Sequence, residues 1–372
     1  MRPKGGILSG PLHGYRVWEL SDTPAVAFAG RLLREMGARV EMIEPPGGCL
    51  LRRMPPMSDG GSALFDYLAA GKESRPIPTD QELAELADVH IVIHDRVDLP
   101  EAWERALREV ALPTRGRVVV ACTPYGQEGP KRDWQACELT LFQAGGEGFL
   151  MPSGLGYEQF PDRSPIGVGN YLGNYQGGLT AALTAVAGLS GSRRARACER
   201  ADVSVQDAQL SLNYFTVSRF IEEVRENRAN RAFSYGGVIG CTDGFVELVT
   251  LEQHQWLGLR RMMGDPEWAR DPRFEDPIRR ASHGEEINRH LREWASTRTA
   301  AEVTRLGVEF GVPCGPFLAP GDLQDDPQMQ ARGFFVESEN GDGLYPGAPW
   351  KLDRWPRLRH RPAPSPPGGR SS

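Results

Sequence analysis

The sequence lacks several features that would place it in a familiar class of protein. Its six cysteines, at positions 49, 122, 137, 198, 241 and 314 of 372 residues, form no CxxC pair and no compact cluster with histidine, so a structural metal site is not expected. No stretch approaches the roughly 18 uninterrupted apolar residues of a membrane-spanning helix, and no apolar signal segment opens the chain. We therefore expect free thiols, no bound metal, no membrane partner and a cytoplasmic location.

Two nucleotide-binding motifs are also missing. The first strand-to-helix turn reads SDTPAV and has none of the glycines of a GxGxxG motif, which let the backbone approach the pyrophosphate of NAD or FAD. No GxxxxGK[ST] sequence is present, which excludes a P-loop triphosphatase. The formal net charge of −6 provides no general attraction for nucleic acid.

Strand and helix patterns alternate along the first part of the chain. Residues 15–20 and 39–43 predict two strands. Between them, apolar residues recur at helical spacing after Thr23 and Pro24, which predict the N-cap and first position of a helix. A strand, a helix and a strand in this order predict a βαβ unit and the beginning of a parallel sheet.

Further elements extend this pattern. Predicted strands cover residues 89–93 and 117–121, with a helix around residues 101–110 between them. A glycine-rich stretch then leads into the helix LTAALTAVAGL, whose N-terminus offers unpaired backbone N–H groups to an anion or a carbonyl oxygen. The fold class predicted is α/β, with a Rossmann-like large domain built on a parallel sheet and a smaller α+β domain.

Changes in composition predict the domain boundaries. The large domain is expected over residues 1–225, where the chain turns polar, and the small domain over residues 226–330. Residues 331–360 are expected to return to the large domain. The segment 361–372 is rich in Pro, Gly and Ser and predicts a disordered tail.

Twelve pieces of the chain, in this order, resemble one known family, the family III CoA-transferases of the CaiB/BaiF type. The resemblance extends from near the start to about residue 350. The matching pieces are PLHGYRVWEL, RLLREMGARVEMIEPPGG, AAGKES, ADVHIVIHDR, YGQEGP, ELTLFQAGGEGF, GNYLGNYQGGLTAAL, ADVSVQDA, CTDGFVEL, DPEWARDPRFED, GVPCGPF and DPQMQARGFF.

The resemblance implies a dimer of two interlocked chains and a large domain that binds coenzyme A as a substrate, with no tightly held cofactor. The second substrate would be a small carboxylic acid. The CoA phosphates need cations, and an arginine can bind two oxygens at once. The CoA-binding residues implied are Thr23, Lys72, His94, Asp95, Arg96, Tyr125 and Gly126.

The position of the family's catalytic aspartate holds an asparagine. Transferases of this family use that aspartate to attack the thioester, and aligning GNYLGNYQGGL with the family's GxxxxDxxxGL places Asn174 there. An amide is a poor nucleophile, so the family's covalent route is expected to fail at this residue. The racemase branch also needs a histidine, and that position falls at or beside Cys137. Racemisation by the same route is therefore disfavoured.

Two carboxylates are the remaining candidates for catalysis. Glu138 acts as a lone general base or, alternatively, caps a helix or pairs with Arg132. Glu147, in the glycine-rich AGGEGF turn, is the second candidate. Asn174 is either an oxyanion-stabilising donor or the remnant of a lost nucleophile.

The glycines of the segment 235–237 predict a lid over the site or an ordinary hairpin turn. The leading hypothesis for function is CoA transfer between a CoA thioester and a carboxylate. The first alternative is a different reaction on a CoA thioester, such as hydrolysis, cyclisation, elimination or epimerisation, that uses Glu138. The second is a catalytically inert subunit that binds CoA thioesters.

Overall fold

The structure is a computed structural model that describes residues 10–58, 61–151, 161–164, 166–212, 235–341 and 343–368. The chain divides into two compact units. The large unit comprises the described parts of residues 1–149, 167–224 and 327–372, and the small unit those of residues 150–166 and 225–326. No helix in the described ranges is both long enough and apolar enough for a membrane crossing.

Helices and strands alternate through most of the chain. In chain order they are β1 (Arg16–Leu20), α1 (Pro24–Glu35), β2 (Arg39–Glu44), β3 (Met57–Ser58), β4 (Gly61–Ser62), α2 (Ala63–Leu68), β5 (Glu73–Pro76), β6 (Ile91–His94), α3 (Glu101–Glu109), β7 (Val118–Thr123), α4 (Glu138–Ala144), α5 (Leu172–Ala195), β8 (Glu199–Ser204), α6 (Val205–Leu212), β9 (Gly236–Gly240), β10 (Phe245–Val249), α7 (Gln253–Met262), α8 (Pro277–Ala281), α9 (Gly284–Ala295), α10 (Ala300–Phe310), β11 (Cys314–Pro316), α11 (Pro327–Arg332), β12 (Phe335–Glu337) and β13 (Leu344–Pro346).

A six-stranded parallel sheet forms the centre of the large unit, with the strand order β5-β2-β1-β6-β7-β8. Strand residues alternate between its two faces. Val17 and Ile91 pack in the core cluster that includes residues of α1 and α5, whereas Trp18 and Val92 pack in the cluster that includes Trp103 of α3. This layered arrangement confirms the predicted α/β fold class and the Rossmann-like large domain.

Helix α5 lies very close to its neighbours because glycine replaces larger side chains at the contacts. A Cβ at Gly178 would lie 2.3 Å from the carbonyl oxygen of Ala25 in α1, and one at Gly177 would lie 2.7 Å from Val205 Cγ2. Both distances are shorter than real side-chain contacts allow. The first turns of α5 are therefore fixed against the beginning of α1.

The C-terminal segment packs on the large unit. The Pro362 carbonyl accepts a hydrogen bond from Gly71 N–H at 3.3 Å, and the Pro364 carbonyl accepts one from Arg52 Nη1 at 2.9 Å. Ala363 packs against the core cluster around α2. This differs from the disordered tail predicted for residues 361–372, since composition alone does not show these backbone contacts; residues 369–372 lie outside the described chain.

The small unit has a three-stranded antiparallel sheet in the order β11-β10-β9, which confirms the predicted α+β character. Trp256 of α7 is buried at its centre, with ring contacts to Tyr235, Trp268 and Phe274. Asp271 caps the short helix that begins at Pro272 by accepting from Arg273 N–H, as an Asp-Pro pair predicts.

Candidate active site

A cavity of about 240 Å³ opens at the carboxyl ends of β1, β2 and β6 in the large unit. Its lining includes Asp22 after β1, Pro45 after β2, Arg96 after β6 and Trp103 of α3. Ligands of open α/β sheets bind outside the carboxyl ends of the strands, where the connecting loops diverge. The cavity is therefore a candidate ligand-binding site of the large unit.

Of the three predicted residues His94, Asp95 and Arg96, only Arg96 lines this cavity. Its guanidinium is half exposed and lies 3.9 Å from Asp22 Oδ2, which leaves it accessible to an anion. Asp95 Oδ2 accepts a hydrogen bond from Asp22 N–H at 2.6 Å, and burial raises the pKa of Asp95. This half-buried carboxyl accepts from the backbone and helps to hold the turn after β1, and as an acid it would repel a phosphate.

His94 is also turned away from solvent. Its Nδ1–H donates to the Arg96 carbonyl oxygen at 3.1 Å, and burial lowers its pKa to about 4. His94 is therefore neutral at physiological pH and supplies no charge to a ligand. The prediction of a CoA contact by His94 is corrected on this ground, whereas a CoA contact by Asp95 stays a prediction.

Lys72 does not reach the surface, contrary to its predicted contact with a CoA phosphate. Its side chain is completely buried, where Nζ lies 2.7 Å from Glu19 Oε2 and 2.8 Å from the Ala27 carbonyl oxygen. A Cβ at Gly30 of α1 would clash with this pair, so the helix leaves space for it. The cation of Lys72 is compensated inside the protein and is unavailable to a ligand.

Thr23 stands at the N-cap of α1, but its side chain makes no capping hydrogen bond. Instead, Thr23 N–H donates to Ser21 Oγ at 3.1 Å, in the turn that borders the cavity. Its position confirms the predicted helix start. A CoA contact by Thr23 stays a prediction.

Tyr125 and Gly126 lie in the turn after β7, and a CoA contact by either residue stays a prediction. Gly126 adopts φ +88°, and its N–H donates to Thr123 Oγ1 at 2.9 Å. Lys131 Nζ lies 5.4 Å from the ring centre of Tyr125 and 5.6 Å from that of the exposed Trp134. Sequence reasoning missed this cation beside two aromatic rings, although the order YGQEGPKRDW contained all three residues.

Glu138 and Asn174 form the most specific polar contact among the predicted catalytic residues. Glu138 Oε1 accepts from Gly173 N–H at 2.7 Å, and Oε2 accepts from Asn174 N–H at 3.1 Å and from Asn174 Nδ2 at 2.6 Å. Of the interpretations of Glu138 that the sequence left open, the structure shows the contact with a helix N-terminus. Arg132 pairs with Asp98 instead, at 2.6 Å.

The N-terminus of α5 explains why a carboxylate is stable at this point. The helix has 24 residues, and the first N–H groups of a helix have no intrahelical acceptor and carry the positive end of its dipole. Both oxygens of Glu138 satisfy such groups. Asn174 is buried, with 6% of its surface exposed, so its amide is held against the carboxylate and cannot rotate freely into solvent.

No hydrogen bond between described residues joins Glu147 to this contact. Glu147 begins the short 3₁₀ helix Glu147–Leu150. Gly236 and Gly237 are the first residues of β9 in the small unit, and a Cβ at Gly236 would lie 2.3 Å from the Leu248 carbonyl oxygen. Strand pairing accounts for that glycine.

Several known proteins are similar to this chain. A succinyl-CoA–D-citramalate CoA-transferase of Chloroflexus aurantiacus is 28% identical over 336 residues, which cover 87% of this chain and 82% of the relative. A formyl-CoA:oxalate CoA-transferase of Streptomyces avermitilis is 26% identical over 382 residues, covering 93% and 90%. A crystal structure of a CaiB/BaiF family protein from Brucella suis aligns with a TM-score of 0.80 at 20% identity, over 96% of this chain and 97% of that one.

These matches agree with the fold and with the order of the sequence motifs. The similarity to the Brucella structure concerns the fold alone, since the identity is low. The family model describes nearly the whole chain, from residue 12 to residue 370. By that match, the chain belongs to CoA-transferase family III.

Proposed function

We propose that this protein transfers CoA between a CoA thioester and a carboxylic acid, and that Glu138 is its attacking carboxylate. The observation that carries this proposal is the position of Glu138, whose carboxylate lies against Gly173 and Asn174 at the start of α5. The family's aspartate would stand at residue 174. In this proposal α4 supplies the reacting carboxylate, next to the position where the family has its aspartate on α5.

The transfer would proceed through two covalent states of Glu138. Glu138 Oε2 attacks the thioester carbon, the C–S bond breaks, and CoA leaves as a thiolate to give an acyl-glutamyl anhydride. The thiolate then attacks Glu138 Cδ, which releases the donor carboxylate and forms a glutamyl-CoA thioester. An acceptor carboxylate reverses both steps with its own acyl group, and Glu138 returns as the free carboxylate.

Asn174 positions Glu138 in this proposal. Its Nδ2 donates to Glu138 Oε2 at 2.6 Å, which holds the attacking oxygen in place. During the attack of Oε2, the second N–H of the Asn174 amide is available to the carbonyl oxygen of the reacting thioester. An aspartate at residue 174 would place a second negative charge against Glu138, so asparagine and glutamate fit each other here.

We propose that CoA contacts Arg96 and a group of three residues, Lys131, Tyr125 and Trp134. Arg96 is the accessible cation of the 240 Å³ cavity, and Trp103 supplies an aromatic surface in its lining. Lys131, with Tyr125 and Trp134, offers a second cation on the same unit. Asp22 beside Arg96 opposes a phosphate, so binding is expected to depend on both cations.

The substrates proposed are small acids of the kind that the relatives' names state. Those names include succinyl-CoA with D-citramalate, formyl-CoA with oxalate, and succinate with glutarate. Donors and acceptors of this size are the first to test. A cytoplasmic location is part of the proposal, because all six cysteines are free.

We also propose a homodimer. Leu179, Leu183 and Val186 recur along one face of α5 and are 55%, 69% and 36% exposed. An apolar face of this kind on a long helix favours contact with another chain. A dimeric mass by light scattering at nanomolar protein would support an inseparable dimer, and a monomer would refute it.

The experiment is a CoA-exchange assay followed by trapping. Pure protein is incubated with succinyl-CoA and each of D-citramalate, oxalate and glutarate, and new acyl-CoA is measured by mass spectrometry. Hydroxylamine is then added after the donor alone, because it converts a glutamyl-CoA thioester into a hydroxamate. We expect exchange, and a mass increase on the peptide that contains Glu138.

Variants separate this proposal from its alternatives. Glu138→Gln should abolish exchange and trapping, whereas the matched control Glu147→Gln should retain both. Asn174→Asp should be slower than wild type if Glu138 attacks. Faster exchange in Asn174→Asp with a hydroxamate at residue 174 would refute the role of Glu138. Hydrolysis without exchange would favour the thioesterase alternative, and binding without either reaction would favour the inert subunit.

A further inference from the structure

Gln209 of α6 is a completely buried amide whose polar atoms have no hydrogen-bond partner among the described residues. Its side chain has an exposed fraction of 0%. Oε1 and Nε2 are both buried, and neither has a hydrogen-bond partner among the described residues. Most buried side-chain amides in proteins are paired, because an unpaired group costs free energy that the fold does not recover. The other glutamine of α6, Gln206, follows this rule, since its Nε2 donates to the Ala144 carbonyl at 2.9 Å.

Two glycines leave space for the Gln209 side chain next to the proposed active site. A Cβ at Gly145 would lie 2.0 Å from Gln209 Oε1, and a Cβ at Gly173 would lie 2.2 Å from Gln209 Nε2. The same point at Gly173 is 3.2 Å from Glu138 Oε1. The amide nitrogen is thus directed at the first turn of α5, on the side where Glu138 Oε1 lies.

Glu138 Oε1 already has one donor, Gly173 N–H at 2.7 Å. A carboxylate oxygen accepts two or more hydrogen bonds, so Oε1 has room for another. Two donors on one oxygen, one backbone N–H and one side-chain amide, are the arrangement that stabilises an oxyanion in acyl transfer.

We propose that Gln209 is a positioning residue whose Nε2 acts as the second donor to Glu138 Oε1 during CoA transfer. The inference rests on the proposed function and adds a residue to it. It concerns the step in which CoA thiolate attacks Glu138 Cδ of the acyl-glutamyl anhydride. The carbonyl electron pair then moves onto Oε1, which becomes an oxyanion beside Gly173 N–H and Gln209 Nε2.

When this intermediate collapses, the pair on Oε1 returns to form the carbonyl, and the bond from Cδ to the donor carboxylate breaks. The products are the glutamyl-CoA thioester and the free donor acid, so no further reactant is needed. The negative charge on Oε1 is greatest in the tetrahedral intermediate, between thiolate attack and collapse. A donor that is poorly used in the resting state and well used at that moment lowers the barrier specifically.

The test is Gln209→Met, which keeps the length of the side chain and removes the donor. We expect the rate of glutamyl-CoA formation, followed in a single turnover with donor alone, to fall by about 100-fold. The denaturation midpoint should stay the same or rise, because an unpaired buried amide is replaced by an apolar group of similar shape. KM for the acyl-CoA should change little.

Gln206→Met is the matched control on the same helix. Gln206 is paired, so its replacement should lower the denaturation midpoint and leave the single-turnover rate within about threefold of wild type. Gln209→Met should thus lower the rate without lowering stability, and Gln206→Met should lower stability without lowering the rate. A merely structural role of Gln209 does not predict this difference.

The outcomes separate this inference from the proposed function. An active wild type with Gln209→Met equally fast overturns the inference alone. A Gln209→Met protein that is clearly destabilised also overturns it, because the amide then has a structural partner. A wild type that exchanges no CoA and forms no glutamyl adduct refutes the transfer by Glu138, and the role of Gln209 with it.

Discussion

Replacing Lys72 by methionine tests whether this lysine stabilises the fold or binds CoA. In the structure its ammonium lies 2.7 Å from Glu19 Oε2, and neither side chain is exposed to solvent. Lys72→Met therefore leaves the carboxylate of Glu19 buried without its cation. Breaking a buried ion pair from one side costs about 3–5 kcal/mol, which is a large part of the 5–15 kcal/mol that stabilises a typical domain.

The same reasoning predicts recovery in the double variant. Glu19→Met combined with Lys72→Met removes both charges and keeps a similar volume, so the free energy of unfolding should return to within about 1 kcal/mol of wild type. Lys351→Met, at an exposed residue, is the control and should change stability by less than about 0.5 kcal/mol.

The assay is urea unfolding followed by circular dichroism, with CoA affinity measured by calorimetry below the unfolding transition. We expect Lys72→Met to lower the unfolding midpoint and to leave the dissociation constant of CoA unchanged. A variant as stable as wild type that binds CoA tenfold more weakly would contradict the structural assignment of Lys72. That result would instead support the contact between Lys72 and a CoA phosphate that the family resemblance implies.

Three other predictions concern separate parts of the molecule. Arg96→Met should raise the dissociation constant of CoA by about 10-fold or more, because one charge-assisted hydrogen bond is lost, and should leave the unfolding midpoint constant. An unchanged dissociation constant in calorimetry would contradict this prediction. His94 has a pKa lowered by burial to about 4, so the folded state resists protonation and stability should fall as the pH drops from 6.5 to 4. His94→Asn should remove up to about 3 kcal/mol of that dependence, and an equal pH profile would refute it. Trp256→Ala should destabilise the small unit by about 3–5 kcal/mol in the same unfolding assay, against a near-neutral effect of Trp134→Ala at an exposed position.

Local signals in the sequence predicted the elements of the large unit well. Pro24 after Thr23 begins α1, and the strand patterns near residues 39–43 and 117–121 correspond to β2 and β7. These signals act within a few residues, through a fixed backbone angle or alternating burial. These elements can therefore be predicted from neighbouring residues alone.

Contacts between distant residues were beyond the same reasoning. Lys72 and Glu19 are 53 positions apart, and a lysine has the same sequence appearance whether it is paired inside or exposed. Glu138 and Asn174 were named from the family resemblance, but only the arrangement of α4 beside α5 decides between helix capping and a pair with Arg132. Gln209 gave no signal at all, because its environment depends on two glycines in other elements.

Helices α1 and α5 cross in close contact at Gly178, and this contact controls the distance between them. Helix α1 begins beside the cavity that Arg96 lines, and α5 begins at Leu172, with Asn174 in its first turn, one turn before the glycine that lies against Ala25. The distance between these two helix starts is thus set by the absence of a side chain at Gly178. A methyl group added at residue 178 would push α5 away from α1 and displace the first turn of α5, whose N–H groups donate to Glu138.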